Sequence, residues 1–351
     1  MAPFAIGVDL GGTNLRISAV DSSGNLLEKL TTGTQVTRGR DFVIQEMCDA
    51  IKSVSFHLQD KGILCGVGIG VPGIINKRTG MLRKSPNLPD WHDYPVKEEI
   101  ERRLQAPVIL ENDANAAALG ENWLGAARDV DDMCIVTLGT GVGGGIVLRG
   151  DVWDGMTGMA GELGHITIDP NGPKCNCGNS GCVEQFASAT GVVRMAKEAI
   201  ASGAEELSKL ASGRDVEFSA KSIFNLALQG DEPAKAIFRK VGWALGILMA
   251  DLVNTFNFQM YVVGGGVSNS WEAFAPMMFE EARKRSMVYA ATAPETGAEP
   301  VGAAEGMSQR PAPKSQQTII TRALLGSDAG LYGAARLPFL RAERAKNASH
   351  L

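Results

Sequence analysis

The chain has 351 residues, a formal net charge of −5 and a sequence pI near 5.5. This length fits two domains, or one large α/β unit divided by a cleft. The charge excludes a broad basic surface for nucleic acid or anionic lipid, so we expect neither a nucleic-acid nor a membrane partner.

The start of the chain shows no targeting signal. Met1 to Phe4 lead directly into an apolar run, without the charged start and long apolar segment of a secretory signal. The later apolar stretch from Val241 to Phe258 contains Asp251 and Asn254, which favours a buried helix over a membrane span. The sequence therefore predicts a cytoplasmic protein.

The first predicted elements are two strands joined by a glycine turn. Apolar runs at Phe4–Val8 and Ile17–Val20 flank the turn, which begins after Asp9. Glycine lets the main chain approach a phosphate closely, and Asp9 could hold a hydrated magnesium ion. The phosphate-binding residues would be Gly11, Gly12, Thr13 and Asn14. An ordinary hairpin with a Gly-Gly turn is the alternative.

Helices and strands then alternate. A helix is predicted from about Phe42 to Lys61, strands at Cys65–Val71 and Val108–Leu110, and a helix at Ala114–Trp123. This alternation is typical of an α/β sheet with helices on its faces.

Asn112 and Asp113 lie where the second of these strands meets its helix. A side chain at this position can cap the helix. It can also act chemically: Asp113 would accept the proton of a substrate hydroxyl that attacks phosphorus, while Asn112 orients the substrate. The two roles are compatible.

The strand, glycine turn and strand pattern occurs a second time. Met133–Leu138 and Gly143–Leu148 flank a turn made of Gly139, Thr140 and Gly141. An internal duplication of one nucleotide-handling unit explains the repetition.

Later elements are predicted from apolar periodicity and composition. We expect helices at Ser188–Ala201, Glu232–Asn254 and Leu324–Ala335, a strand at Met260–Gly266 that ends in glycines, a mobile loop at Ala290–Gln317, and frayed residues from about Lys346.

Three closely spaced cysteines follow a histidine. His165, Cys175, Cys177 and Cys182 supply the nitrogen and sulfur donors of a tetrahedral structural zinc site, although their spacing differs from that of zinc fingers and free thiols are the alternative. The scattered residues Cys48, Cys65 and Cys134 are expected to be inert core thiols.

Glu162 and Glu184 flank the predicted zinc loop. A metal loop would hold both side chains in place, and carboxylates accept hydrogen bonds from sugar hydroxyls. The zinc loop is therefore predicted to lie beside a sugar site.

Together these motifs resemble those of the ROK family of sugar kinases (repressor, open reading frame, kinase), most of all its bacterial glucokinases, within the actin-like ATPase superfamily. The resemblance runs from Ile6 to about Leu337. It rests on five segments in the family's order: Asp9–Arg16, Glu111–Asn115, Leu138–Gly145, Gly161–Glu184 and Val263–Val267.

The resemblance implies an α/β fold with two actin-like (ribonuclease H-like) domains flanking a cleft, and a structural zinc loop. The smaller domain would comprise residues 1–118 and a returning C-terminal helix in 327–351, and the larger domain residues 119–326 with the zinc loop. A homodimer or a dimer of dimers is implied as well.

The resemblance also implies roles for individual residues. Asp113 would be the general base. The sugar would be bound by Gly73, Asn87, Asn112, Asp113, Glu162, His165 and Glu184. ATP would be bound by Asp9, Gly11, Gly12, Thr13, Asn14, Gly139, Thr140, Gly141, Gly264 and Gly265. Mg²⁺ would lie near Asp9, held through water, and Zn²⁺ would be held by His165, Cys175, Cys177 and Cys182.

The implied reaction is ATP-dependent phosphorylation of a hexose at its 6-hydroxyl, with glucose as substrate and glucose 6-phosphate as product. Fructose, mannose or an N-acetylated hexosamine such as N-acetylmannosamine or N-acetylglucosamine is the alternative substrate. A sugar-sensing regulator without catalysis is a further alternative. Asp113 and the short segment before Ile6, where the family's repressors carry a DNA-binding element, favour the kinase.

Overall fold

The computed structural model describes residues 2–85, 87–213, 216–294 and 316–348. The described chain forms two compact units. One unit draws on residues 1–131, 145–161 and 327–351, and the other on residues 132–144 and 162–326.

The described residues form twelve strands and eleven α-helices. The strands are β1 (Ala2–Leu10), β2 (Asn14–Asp21), β3 (Leu26–Gly33), β4 (Gly62–Val71), β5 (Ile74–Asn76), β6 (Met81–Lys84), β7 (Val108–Asn112), β8 (Met133–Leu138), β9 (Val142–Leu148), β10 (Asp151–Val152), β11 (Met260–Gly264) and β12 (Ile319–Arg322). The helices are α1 (Arg40–His57), α2 (Val96–Leu104), α3 (Asp113–Trp123), α4 (Glu184–Ala187), α5 (Ala189–Ala201), α6 (Glu205–Ser212), α7 (Ala220–Leu228), α8 (Glu232–Phe256), α9 (Trp271–Arg285), α10 (Met287–Thr292) and α11 (Ala329–Ala348).

The first sheet has the strand order β3-β2-β1-β4-β7. β1 runs parallel to β4, and β4 parallel to β7, while β2 and β3 are antiparallel neighbours. Phe4 to Val8 are all buried, as expected for a central strand covered on both faces. The register pairs Asp9 with Gly70, and Gly70 with Glu111, so the carboxyl ends of three parallel strands meet at one edge.

The C-terminal helix α11 packs closely against this sheet and against α3. A methyl group on Gly333 would overlap the carbonyl oxygen of Ala116, and one on Gly120 would overlap that of Ala329. A side chain on Gly68 would likewise overlap the backbone of Ala334. Small residues therefore allow α11 to contact both the sheet and the helix that begins at Asp113.

The second sheet has the order β10-β9-β8-β11-β12, with β8, β11 and β12 parallel. β11 is buried along its whole length. Gly265 follows its last residue, has a φ of 83°, and lies so close to Leu138 that a side chain would overlap the Leu138 backbone. Glycine is therefore required by the backbone at this position.

The sequence predicted most of the central elements. The predicted strands are found at β1, β2, β4, β7, β8, β9 and β11, and the predicted helices at α1, α3, α5, α8 and α11. No helix among the described residues is long and apolar enough to cross a membrane.

Four expectations need correction. The helix predicted at Leu324–Ala335 begins at Ala329, and it continues through Lys346 to Ala348 instead of fraying. The loop predicted from Ala290 begins later, because α10 extends to Thr292; residues 295–315 of that segment lie outside the described residues. Cys65 is exposed because it lies near the outer end of β4, whereas Cys48 and Cys134 are buried as expected.

Candidate active site and metal centre

Asn112 and Asp113 form the turn between β7 and α3. The Asn112 side-chain oxygen caps the helix by accepting hydrogen bonds from the amides of Ala114 at 2.9 Å and Asn115 at 3.2 Å. Its side-chain NH₂ donates to the carbonyl oxygen of Gly73 at 3.2 Å. Asp113 is the exposed first residue of the helix, and its Oδ1 accepts the Ala114 amide at 3.0 Å. The capping role is therefore observed, and it belongs mainly to Asn112.

Gly330, near the start of α11, lies close to the Asp9 carboxyl group and to the main chain of Asp113. A side-chain carbon at position 330 would lie 3.7 Å from the Asp9 carboxyl group and 3.9 Å from the Asp113 carbonyl oxygen. Asp9, which precedes the first glycine turn, and the main chain of Asp113 thus both lie beside the start of α11.

Internal hydrogen bonds fix the first glycine turn. The Gly11 amide donates to the Asn14 carbonyl at 2.9 Å, and the Thr34 hydroxyl donates to the Gly11 carbonyl at 2.6 Å. The Asn87 side chain lies beside Gly12, where a methyl group would be 3.2 Å from the Asn87 Cβ. A predicted sugar residue and a predicted phosphate turn are therefore neighbours.

Asp9 is held in a mixed-charge environment. Burial raises its pKa, and the Arg16 guanidinium, 3.7 Å away, opposes that rise. Arg16 also donates to the Ser327 carbonyl at 2.6 Å, and Lys29 pairs with Asp328 at 2.6 Å. A partly exposed carboxylate of this kind is a hard oxygen donor that suits Mg²⁺.

In the other unit, the second glycine turn is tied to the segment that begins at Glu184. The Glu184 Oε2 accepts the Val142 amide at 3.0 Å. The Ala189 amide donates to Gly139 at 2.9 Å, and the Thr190 hydroxyl donates to Thr140 at 2.6 Å. A predicted sugar-binding carboxylate and a predicted phosphate turn therefore form one connected structure. The adenosine-binding prediction for Gly264 and Gly265 falls at the end of β11 in this unit.

His165 and the three clustered cysteines come together as predicted. Their four ligand atoms all lie within 4.8 Å of one another. His165 Nδ1 is 3.6 Å from Cys175 Sγ, and Cys177 Sγ is 3.7 Å from Cys182 Sγ. This donor set fits tetrahedral zinc, and no further carboxylate belongs to the group that is found among the described residues.

The thiols differ in their surroundings. The Asn179 amide is the main reason that the pKa of Cys177 is lowered, whereas burial raises the pKa of Cys182 to about 12. Three neighbouring thiolates repel one another, so a cation among them would stabilise all three.

The His165 ring has two different neighbours. Nδ1 points toward Cys175, while Nε2 lies 4.0 Å from the Glu162 carboxylate. An imidazole can bind a metal through one nitrogen and contact a second group through the other. The ring therefore connects the cysteine cluster to Glu162.

Sequence reasoning missed one charged group beside the Asn112–Asp113 turn. Lys77 contacts both Glu111 and Asp154, and Glu111 is buried. A glutamate at the end of an apolar strand was a signal for such a group, but Lys77 and Asp154 lie in polar stretches without a recognisable pattern.

The model of the ROK family matches residues 5–338. The chain therefore belongs to the ROK family.

Several curated relatives are similar over most of this chain. A glucokinase of Thermotoga maritima is 42% identical over 78% of this chain and 85% of its own length. A xylose repressor of Caldicellulosiruptor bescii is 34% identical over 81% of this chain and 71% of its own length. An N-acetylmannosamine kinase of Escherichia fergusonii is 32% identical over 75% and 82%, respectively.

Solved structures share the fold. A ROK family glucokinase of Streptomyces griseus, in complex with glucose and AMPPNP, is 34% identical with a TM-score of 0.71, covering 95% of this chain and 98% of that one. A ROK hexokinase of Thermus thermophilus is 31% identical with a TM-score of 0.76, covering 97% and 99%, respectively. The α/β fold with mixed sheets is thus that of ROK sugar kinases.

Proposed function

We propose that this protein is an ATP-dependent hexose kinase that converts glucose to glucose 6-phosphate. The proposal is supported by the sheet edge at which β1, β4 and β7 end together, because Asp9 and Glu111 both align with Gly70 and Asp113 follows β7 directly. An exposed carboxylate after one strand and a glycine turn after another, at the same edge, suit phosphate transfer from ATP to a hydroxyl. Membership of the ROK family and the glucokinase relatives support glucose as the substrate.

Asp113 acts as the general base. Its carboxylate accepts the proton of the sugar 6-hydroxyl while the hydroxyl oxygen forms a bond to the γ-phosphorus of ATP. The bond between that phosphorus and the β,γ-bridging oxygen breaks, and ADP leaves with the electron pair. Asn112, held by Gly73 and by its own helix cap, keeps the turn in place.

The sugar is recognised through hydroxyl-specific contacts. Glu162 and Glu184 accept hydrogen bonds from ring hydroxyls, His165 contacts a ring hydroxyl through Nε2, and the cysteine cluster orients His165. We also assign sugar contacts to Gly73, Asn87 and Asn112. We propose that each compact unit is one actin-like domain.

The glycine turns after Asp9 and Leu138 bind the ATP phosphates, and Gly264 and Gly265 lie against adenosine. Asp9 would hold Mg²⁺ through water, and the ion would supply positive charge against the triphosphate. His165 and the three cysteines would hold a structural Zn²⁺ ion. We further propose a homodimer or a dimer of dimers, in the cytoplasm.

Two other candidates have support among the relatives. The similarity to an N-acetylmannosamine kinase favours an acetamido sugar with the same chemistry. The similarity to a xylose repressor favours a sugar-sensing regulator. Asp113 favours a kinase over the regulator, because a sensor needs no base.

The test is ADP release with Mg-ATP against glucose, mannose, fructose, glucosamine, N-acetylglucosamine and N-acetylmannosamine. Turnover on glucose well above that on the other sugars is expected. Preference for an acetamido sugar would change the substrate and leave the mechanism intact. Tight sugar binding without turnover on any member of the panel would contradict the kinase and favour the regulator.

A further inference from the structure

Glu111 is a buried carboxylate next to the catalytic turn, and none of the roles above uses it. Its side chain is 4% exposed. Oε1 accepts the Asn112 amide at 2.9 Å and the Asn115 side-chain NH₂ at 3.0 Å. Glu111 therefore holds the residues on both sides of Asp113.

The second carboxylate oxygen of Glu111 contacts the Lys77 ammonium group, which also contacts Asp154. Lys77 follows β5 and Asp154 follows β10, so two separate segments of the same unit converge on the end of β7. The three side chains line a cavity of about 320 Å³, which leaves Lys77 and Asp154 partly exposed.

This arrangement makes the charge of Glu111 depend on Lys77. Burial raises the pKa of Glu111, and the ammonium group of Lys77 opposes the rise. Hydrogen bonds accepted by a carboxylate are stronger than those accepted by a neutral group. Asp154 balances the remaining charge of Lys77 and fixes its position.

We propose that Lys77, Glu111 and Asp154 form a charged triad that positions Asn112 and Asp113 for proton transfer. All three are positioning residues, and the inference rests on the proposed kinase function. Misplacing a catalytic group by about 1 Å can cost about 100-fold in rate. Asp113 lies within the turn that Glu111 holds, so its carboxylate moves with that turn. Loosening the turn therefore lowers kcat.

The first measurement is the steady-state kinetics of Glu111→Gln and Lys77→Met with glucose and Mg-ATP. Each variant is expected to lose about tenfold in kcat, with the KM for Mg-ATP within about twofold of wild type, because the assigned ATP residues lie elsewhere. The milder Asp154→Asn, at a partly exposed position, is expected to lose about two- to threefold. Unchanged kcat in all three folded variants would overturn the proposal.

The double variant Glu111→Gln/Lys77→Met tests whether the residues act as one unit. Lys77 acts on the turn only through the charge of Glu111. Once Glu111→Gln has removed that charge, the further loss of Lys77 has little effect, so kcat is expected to match that of Glu111→Gln alone. Multiplicative losses, about 100-fold in total, would contradict the triad.

The matched control is Glu101→Gln. Glu101 Oε1 accepts the Val108 amide at 2.9 Å, at the opposite end of β7 from the catalytic turn. This variant also removes a carboxylate that accepts a backbone amide of β7. Its kcat is expected to equal that of wild type, and an equal loss in both variants would indicate general destabilisation of the strand.

Hydrogen exchange gives a readout that does not depend on activity. Peptides that cover Asn112–Asn115 are expected to exchange at least threefold faster in Glu111→Gln than in wild type or Glu101→Gln. Equal exchange would overturn the positioning role. If wild-type protein turns over no sugar, the proposed function is wrong. The exchange rates still show whether the triad holds the Asn112–Asp113 turn in place.

Discussion

The catalytic turn and the cysteine cluster are held in place in different ways. Asn112 and Asp113 are fixed by sheet register, a helix cap and the carboxylate of Glu111, all supplied by the chain itself. In the cluster, Cys177 and Cys182 lie 3.7 Å apart with thiols that gain from a shared cation. The turn is thus predicted to keep its geometry without metal, and the cluster to need its ion.

Substitutions in the two regions should therefore have different effects. A change at the turn should alter catalysis with little change in stability, because the capping and ladder bonds remain. A change at the cluster should alter stability first, and sugar binding through His165 and Glu162 second.

The largest effect is expected from Asp113→Asn. The amide keeps an oxygen for the Ala114 amide but cannot accept the sugar proton, so kcat should fall about 100- to 10,000-fold with the Tm nearly unchanged. Steady-state kinetics and thermal unfolding measure the two quantities. Asp231→Asn, which changes the cap of α8, is the matched control and should retain full kcat. Turnover of Asp113→Asn near that of wild type would show that another group is the base.

Loss of the metal should have the next largest effect. Cys177→Ser is expected to reduce zinc, measured by elemental analysis, from about one ion per chain to much less. A loss of about 3 kcal/mol, well below what structural zinc supplies in small domains, would lower the Tm by roughly 6–12 °C. The exposed Cys65 provides the control Cys65→Ser, which should keep both zinc and Tm. Active wild-type protein that contains no zinc would refute the structural metal.

Glu184→Gln tests sugar binding separately from metal binding and stability. The amide oxygen can still accept the Val142 amide, whereas the charge that strengthens hydrogen bonds to sugar hydroxyls is lost. The KM for glucose is expected to rise about tenfold, equivalent to about 1.4 kcal/mol, with zinc content unchanged. Glu198→Gln, at an exposed position of α5, is the control. An unchanged glucose KM would remove Glu184 from the sugar site.

The smallest effect on activity is expected from Gly333→Ala in α11, which should change stability instead. The added methyl group would overlap the backbone carbonyl of Ala116, so α11 and α3 must move apart, at a cost of about 3 kcal/mol. Denaturant unfolding measures this cost. Gly33→Ala is the control, because its methyl group would meet only the Thr13 carbonyl oxygen, at 3.9 Å. Equal stability of the two variants would show that the close contact between the helices is not needed.

Local sequence patterns predicted the elements whose residues are buried in a regular order. β1, β4 and β11 are continuous apolar runs, and α8 carries apolar residues at helical spacing. The strand β3 was missed because it lies at the sheet edge and is largely exposed. Its sequence therefore lacks the run of apolar residues that marks a buried strand. The short helix α2 was missed for a different reason: it has nine residues, most of them charged, and only Val96 and Ile100 are buried, which is too short a pattern to identify a helix.

The cysteine cluster could be predicted because its ligands lie within one short segment, from His165 to Cys182. The contacts of the catalytic turn could not be predicted, because Lys77 and Asp154 reach Glu111 from distant parts of the chain. Nothing in the order of the residues indicates that these two side chains converge on one carboxylate.

The sequence by itself determined the positions of the glycine turns, the Asn112–Asp113 turn and the metal ligands, because each depends on a few adjacent residues with particular chemistry. Only the tertiary structure decided that Asp9 and Asp113 border Gly330, and that Glu111 is paired with Lys77. Such neighbours are set by the register of parallel strands and by the close packing of α11. Both depend on the packing of side chains that are far apart in the sequence.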